Sequence, residues 1–201
     1  MTLLGLDFDN TLVRYDTLFH QLAIEKGLIE ASLPANKTVI RDYLRSQGQD
    51  EQFTTLQGEV YGLRILDAEP AEGMLKALSK LRQRGIPMVL VSHKTRTPYK
   101  GPAYDLHQAA WSWLEKHGFF APDGLGWRHN QVFFEPSKEE KIKRIEQLGC
   151  THFVDDLPEL LGQLPGKTSK ILFDNKLTTI AGTDQLIHMT DWEQLTTILL
   201  K

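Results

Sequence analysis

The chain has 201 residues, 41% of them hydrophobic and 24% charged, with 23 basic against 26 acidic side chains and a formal net charge of −3. That is the make-up of a soluble globular protein of one medium domain, or one domain with an insertion, and it gives no sign of a nucleic-acid-binding surface. A lone cysteine, Cys150, excludes an intramolecular disulfide, and no apolar run approaches the ~18 residues of a membrane span, so a cytoplasmic protein is expected.

The apolar run Leu3–Leu6 reads as a buried strand of a parallel sheet, and it ends abruptly in Asp7-Phe8-Asp9-Asn10-Thr11. It leads into acids and not into a signal peptide. A region reading as helices only follows, over residues 15–68. Asp16 or Thr17 is expected to cap a helix that stops at Gly27. Asn36 is expected to cap a second, with Val39, Ile40, Tyr43 and Leu44 on one face. Asp50 is expected to cap a third that carries Phe53, Leu56, Val60 and Leu63.

Strands and helices then alternate. A helix through Met74, Leu75, Leu78 and Leu81 stops at Gly85, and the strand Ile86 to Val91 ends in Ser92-His93-Lys94. A loop rich in Pro, Lys, Arg and Tyr leads to a helix reaching about His117, with Ala109, Ala110, Trp113 and Leu114 buried. After a short strand, Gln131 to Phe134, Ser137 and Glu140 have the spacing of a capping box. The helix they open stops at Gly149. The strand His152 to Val154 ends in Asp155-Asp156, and two more strands, Lys170 to Phe173 and Gln185 to His188, precede a last helix capped by Thr190 or Asp191. This pattern predicts an α/β protein with a mostly parallel sheet covered on both faces.

In such a sheet the carboxyl ends of all strands lie along one edge, so Asp7, Asp9, Thr11, Ser92, Asp155 and Asp156 are expected to meet there. Four carboxylates together repel one another unless a cation intervenes, and a hard, oxygen-seeking ion such as Mg²⁺ suits them. The hydroxyls of Thr11 and Ser92 can donate to phosphate oxygens. Lys138, at a helix start, can bring a cation to the same edge, although Lys141 stands one turn beyond it. The basic residues His93, Lys94 and Arg96 beside this edge are candidates for substrate contact.

These four segments, in this order, resemble the motifs of the haloacid dehalogenase-like superfamily, and the resemblance spans essentially the whole chain. It implies a Rossmann-like three-layer core over residues 1–14 and 69–201, with a small all-helical cap inserted at 15–68. Such a cap shields the site and selects small substrates. Of its basic residues Lys37, Arg41, Arg45 and Arg64, at most one or two are expected to face the site. The resemblance further implies a nucleophile, Asp7, that becomes an aspartyl-phosphate, and a general acid and base, Asp9. Thr11 and Ser92 would position phosphoryl oxygens, and Lys138 would neutralise Asp7. Mg²⁺ would be held by the side chains of Asp7 and Asp155 and the Asp9 carbonyl, with Asp156 bound directly or through water.

The activity so implied is a phosphatase acting on a small-molecule phosphate ester, since the dehalogenase branch typically lacks the second acid. A phosphotransferase or phosphomutase would use the same residues, and a domain that binds a phospho-ligand or a partner without catalysis stays open. A receiver domain also gathers acids, a hydroxyl and a lysine, but places its acidic pair before the phospho-accepting Asp.

Overall fold

The computed structural model describes residues 2–174 and 186–200. In chain order they form β1 (Leu4–Leu6), β2 (Val13–Arg14), α1 (Asp16–Glu25), α2 (Lys37–Ser46), α3 (Asp50–Tyr61), β3 (Glu69–Pro70), α4 (Met74–Gln83), β4 (Met88–His93) and α5 (Leu106–Lys116). There follow β5 (Val132–Glu135), α6 (Lys138–Leu148), β6 (His152–Asp155), α7 (Pro158–Gln163), β7 (Ser169–Phe173), β8 (Ile187–Met189) and α8 (Trp192–Leu199). The expected strand Gln185 to His188 is β8, with Gln185 itself outside the described residues. Among the described residues no helix is long and apolar enough to cross a membrane.

The chain divides into two compact units. One comprises Met1–Val13, Pro70–Lys94 and Gly118–Lys201, the other Arg14–Glu69 and Thr95–His117. The first holds a six-stranded sheet in the order β5-β4-β1-β6-β7-β8, every pairing parallel. This order runs outward from β1 in one direction, then starts again beside β1 and runs the other way. The reversal lies between β1 and β6, and in open α/β sheets a crevice forms there at the carboxyl ends. β1 is short and wholly buried, and Leu6 pairs in register with Leu90 on one side and Val154 on the other.

One face of the sheet presents Val89, Val91, Phe153 and Leu172 to Ile145 of α6 and to Leu160 and Leu161 of α7. On the other face Phe173 meets Trp192 of α8, their ring centroids 5.5 Å apart, and α4 packs beside α8. Gly5 in β1 is required by this packing. A methyl group there would stand 2.4 Å from the Phe153 ring and 3.0 Å from the Cys150 sulfur. Overpacking a core typically costs 1–3 kcal/mol, so Gly5→Ala is expected to lower stability by about 2 kcal/mol. A melt or denaturant titration checks this, and an unchanged midpoint would mean that the ring gives way freely.

The second unit contains α1, α2 and α3 together with residues 95–117 and α5, which the sequence pattern assigns to the core. Small residues allow close packing within this unit. Pro98 lies against Gly58 and Tyr104 against Gly62, so close that a side chain on either glycine would collide. The Trp113 indole also donates to the Ala68 carbonyl at 2.8 Å.

Some local expectations shift as well. Asn36 does cap α2, accepting from the Thr38 and Val39 amides, but Val39 and Tyr43 stay exposed while Ile40 and Leu44 are buried. Asp16 and Asp50 are first residues of their helices and do not cap them. The Asp16 carboxylate instead accepts from the Lys37 amide, and Asp50 pairs with Arg45. Leu63 lies beyond α3 and is exposed, and Ala109 is half-buried. In the first unit Gly85 and Gly149 end their helices in the left-handed region, and Ser137 and Asp191 cap α6 and α8.

Candidate active site

β1 ends at Leu6, and the Asp7 amide still donates to the Val154 carbonyl at 2.9 Å, so the first acid is held at the strand end by sheet hydrogen bonding. Asn10 then turns the chain with φ +59°, a conformation that asparagine tolerates better than most residues. The turn brings Thr11 back to Asp7, its hydroxyl donating to Asp7 Oδ2 at 3.4 Å. From the neighbouring strand β4, the Ser92 hydroxyl donates to Asp7 Oδ1 at 2.9 Å. Asp7, Thr11 and Ser92 are all buried.

The lysine of this site is Lys141, not Lys138. Lys141 Nζ donates to Asp7 Oδ1 and to Asp155 Oδ2, each at 2.6 Å, and its side chain is 2% exposed. Lys138 is the first residue of α6 after the Ser137 cap, and its amine reaches out to Glu159 at 3.3 Å on the surface. The reason is helical phase. Lys141 and Ile145 lie one turn apart on the buried side of α6, so Lys141 occupies a place where an apolar residue would ordinarily stand. Below it lies the Phe153 ring, its centroid 5.5 Å from Nζ. Burial alone would push this ammonium down, but Asp7 and Asp155 outweigh that and hold it above the ordinary lysine range.

Asp155 ends β6, fully buried, its Oδ1 accepting from the Leu157 amide at 2.9 Å in the turn that leads into α7. It therefore serves both the local turn and the charge cluster. Burial, and then the charge of Asp7, push its carboxyl up to about 7. Asp156 is likewise raised well above the usual carboxylate range, by burial of its carboxyl and then by Asp7 and Asp155, with the Asn10 side chain as a hydrogen-bonding partner. Oxygens of Asp7, Asp155 and Asp156 lie within 4.8 Å of one another. Three carboxylates around one lysine leave an excess of negative charge, which adds to burial in raising Asp155 and Asp156. Purely oxygen donors with such an excess fit a hard divalent cation.

The Asp9 carboxylate is bound by Lys94, whose amine donates to both of its oxygens at 3.0 and 2.8 Å. Lys94 is buried. His93 closes β4, half-buried and in register with Glu135. Arg96 belongs to the second unit, where its guanidinium binds Asp105 at 2.7 Å and its side chain is 71% exposed. The insertion's other basic residues also have partners within that unit. Lys37 meets Tyr61, Arg41 meets Asp42, Arg45 meets Asp50, and Arg64 meets Glu25 and Asp67.

No protein-family model matches the chain, and no curated protein does. Solved structures do match over its full length. A dehalogenase aligns with a TM-score of 0.61 at 12% identity, covering 100% of this chain and 98% of that one. A HAD-family hydrolase from Deinococcus radiodurans R1, with bound phosphate and sodium, aligns with a TM-score of 0.60 at 14% identity, covering 99% and 95%. A HAD-superfamily hydrolase of subfamily IA from Geobacter sulfurreducens PCA aligns with a TM-score of 0.55 at 15% identity, covering 99% and 96%. At such identities the likeness is one of fold. The chain has the three-layer α/β fold of haloacid dehalogenase-superfamily hydrolases.

Proposed function

We propose that this chain, having the haloacid dehalogenase-like fold, is a Mg²⁺-dependent phosphatase that hydrolyses a small soluble phosphomonoester through an aspartyl-phosphate on Asp7. The observation that carries this reading is the surroundings of Asp7. One carboxylate is aimed by two hydroxyls and a buried ammonium, beside two acids whose charge asks for a cation. That a protein of the same fold holds phosphate and a cation adds support.

In this reading an Asp7 oxygen attacks phosphorus, the bond from phosphorus to the ester oxygen breaks, and Asp9 gives its proton to the departing oxygen. Asp9 then takes a proton from water, whose oxygen attacks phosphorus. The bond from phosphorus to Asp7 breaks, leaving inorganic phosphate and the free carboxylate. Ser92 and Thr11 keep the Asp7 carboxylate oriented and offer donors to phosphoryl oxygens, while Lys141 supplies fixed positive charge where the transferring group meets Asp7. Mg²⁺ would be held by Asp7, Asp155, Asp156 and the Asp9 carbonyl, and when bound would neutralise the carboxylates and the phosphoryl oxygens.

The test is turnover of a panel of aryl, sugar and nucleoside phosphates with Mg²⁺ and with EDTA, alongside a 2-haloacid. Phosphate release that EDTA abolishes is the expected result. Release of halide with no release of phosphate from any ester would sink the reading.

Metal binding also has a pH signature. With no metal bound, burial and the charge of Asp7 push Asp155 up to about 7, above the ~4 of an unfolded aspartate. Between those values the folded state holds the extra proton, so the contribution of Asp155 to stability falls as pH rises through that window. With EDTA, the melting temperature of the wild type relative to Asp155→Asn is expected to drop between about pH 5 and pH 8. Mg²⁺ displaces the proton, so the rise in melting temperature it produces is expected to be larger at about pH 8 than at about pH 5. A rise equal at both pH values would show that the ion does not bind through these acids.

A further inference from the structure

The contact between Lys94 and Asp9 is unlike a surface ion pair. The Lys94 backbone amide donates to the Glu135 carbonyl at 2.9 Å, which fixes its main chain at the end of β4. Its amine lies 5.2 Å from the centre of the Phe8 ring, and its side chain is 2% exposed against 22% for Asp9. The cation is thus the rigid, buried partner, and the carboxylate it grips by both oxygens is the one that reaches solvent. A buried ammonium is unfavourable unless something holds it. Leucine or methionine would cover Phe8 equally well, so packing does not account for a charge at this position.

We propose that Lys94 is a positioning residue, which holds the Asp9 carboxylate where proton transfer to and from the reacting oxygens takes place. This replaces the substrate contact expected from its basic neighbours, and it rests on the phosphatase reading above. Asp7 has its own partners in Ser92, Thr11 and Lys141. Loss of Lys94 should therefore weaken the proton-transfer half of the chemistry and spare the nucleophilic half.

Two esters separate these halves. An aryl phosphate with an acidic phenol needs little help from a general acid, whereas an alkyl phosphate needs its departing oxygen protonated. Misplacing a catalytic group by ~1 Å costs about a hundredfold, so Lys94→Met is expected to lose about that much kcat on the alkyl ester. On the aryl ester the loss should stay under about tenfold, with KM for both within about threefold of wild type. Lys94→Arg should recover part of the alkyl-ester rate. Equal losses on the two esters, a change confined to KM, or no loss at all would overturn the proposal with the phosphatase reading intact. A wild type that cleaves neither ester with Mg²⁺ present would overturn both.

Discussion

Asp7→Asn is expected to give a folded protein at least about a thousandfold slower than wild type on every ester it cleaves. The amide preserves the shape of the carboxylate and still offers an oxygen to Ser92 and Lys141, while its NH2, standing where Oδ2 was, no longer accepts from Thr11. What disappears is the charge and nucleophilicity of the oxygen proposed to attack phosphorus. Removing that charge also takes away the carboxylate that, after burial, pushes Asp155 and Asp156 up. In EDTA the variant should therefore melt no lower than wild type. Steady-state turnover, a thermal melt and acid-quenched mass analysis for a phosphoryl adduct on residue 7 check the three statements. A variant with wild-type turnover would move the nucleophile elsewhere.

Lys141→Met should fail in both respects. Methionine fills a similar volume, but Asp7 and Asp155 lose an ammonium that bonds both. Breaking a buried pair by removing one partner typically costs 3–5 kcal/mol, and a loss of about 4 kcal/mol is expected in EDTA above about pH 7. At lower pH the loss should shrink, because Asp155, already raised, takes up a proton and no longer needs the cation. Mg²⁺ should restore part of the stability without restoring turnover. The control is Lys138→Met, whose surface pairing with Glu159 predicts a change within about 0.5 kcal/mol and unimpaired turnover. A reversal of the two effects would return the role to Lys138.

The contrast between these lysines shows how far the sequence could be read. Strand ends were legible because each combines an apolar run with an abrupt polar stop. Asp7, Ser92 and Asp155 accordingly meet where the alternating pattern places them. Position along a helix is a finer matter, since Lys138 and Lys141 differ by less than one turn and both precede an isoleucine by four residues. The Ser137 cap fixes which turn is first, and burial of Ile145 fixes which side is inward, but the second is a tertiary fact. The tie between Lys94 and Asp9 was hidden for a similar reason. His93, Lys94 and Arg96 read as one basic loop until the strand is known to run as far as His93. Inclusion of residues 95–117 in the second unit rests on Gly58 and Gly62, whose missing side chains leave no periodic signal.

The division of the chain has a consequence for the order in which the protein is made. A single insertion at 15–68 would be finished long before the sheet around it. Because the second unit needs Thr95–His117 as well, it is complete only once residue 117 has been synthesised. By then the ribosome has delivered β1 and β4 but none of β5, β6, β7 or β8. Asp7 and Ser92 are thus both present in the nascent chain while Lys141, Asp155 and Asp156 are still untranslated, and the charge cluster around Asp7 is completed last.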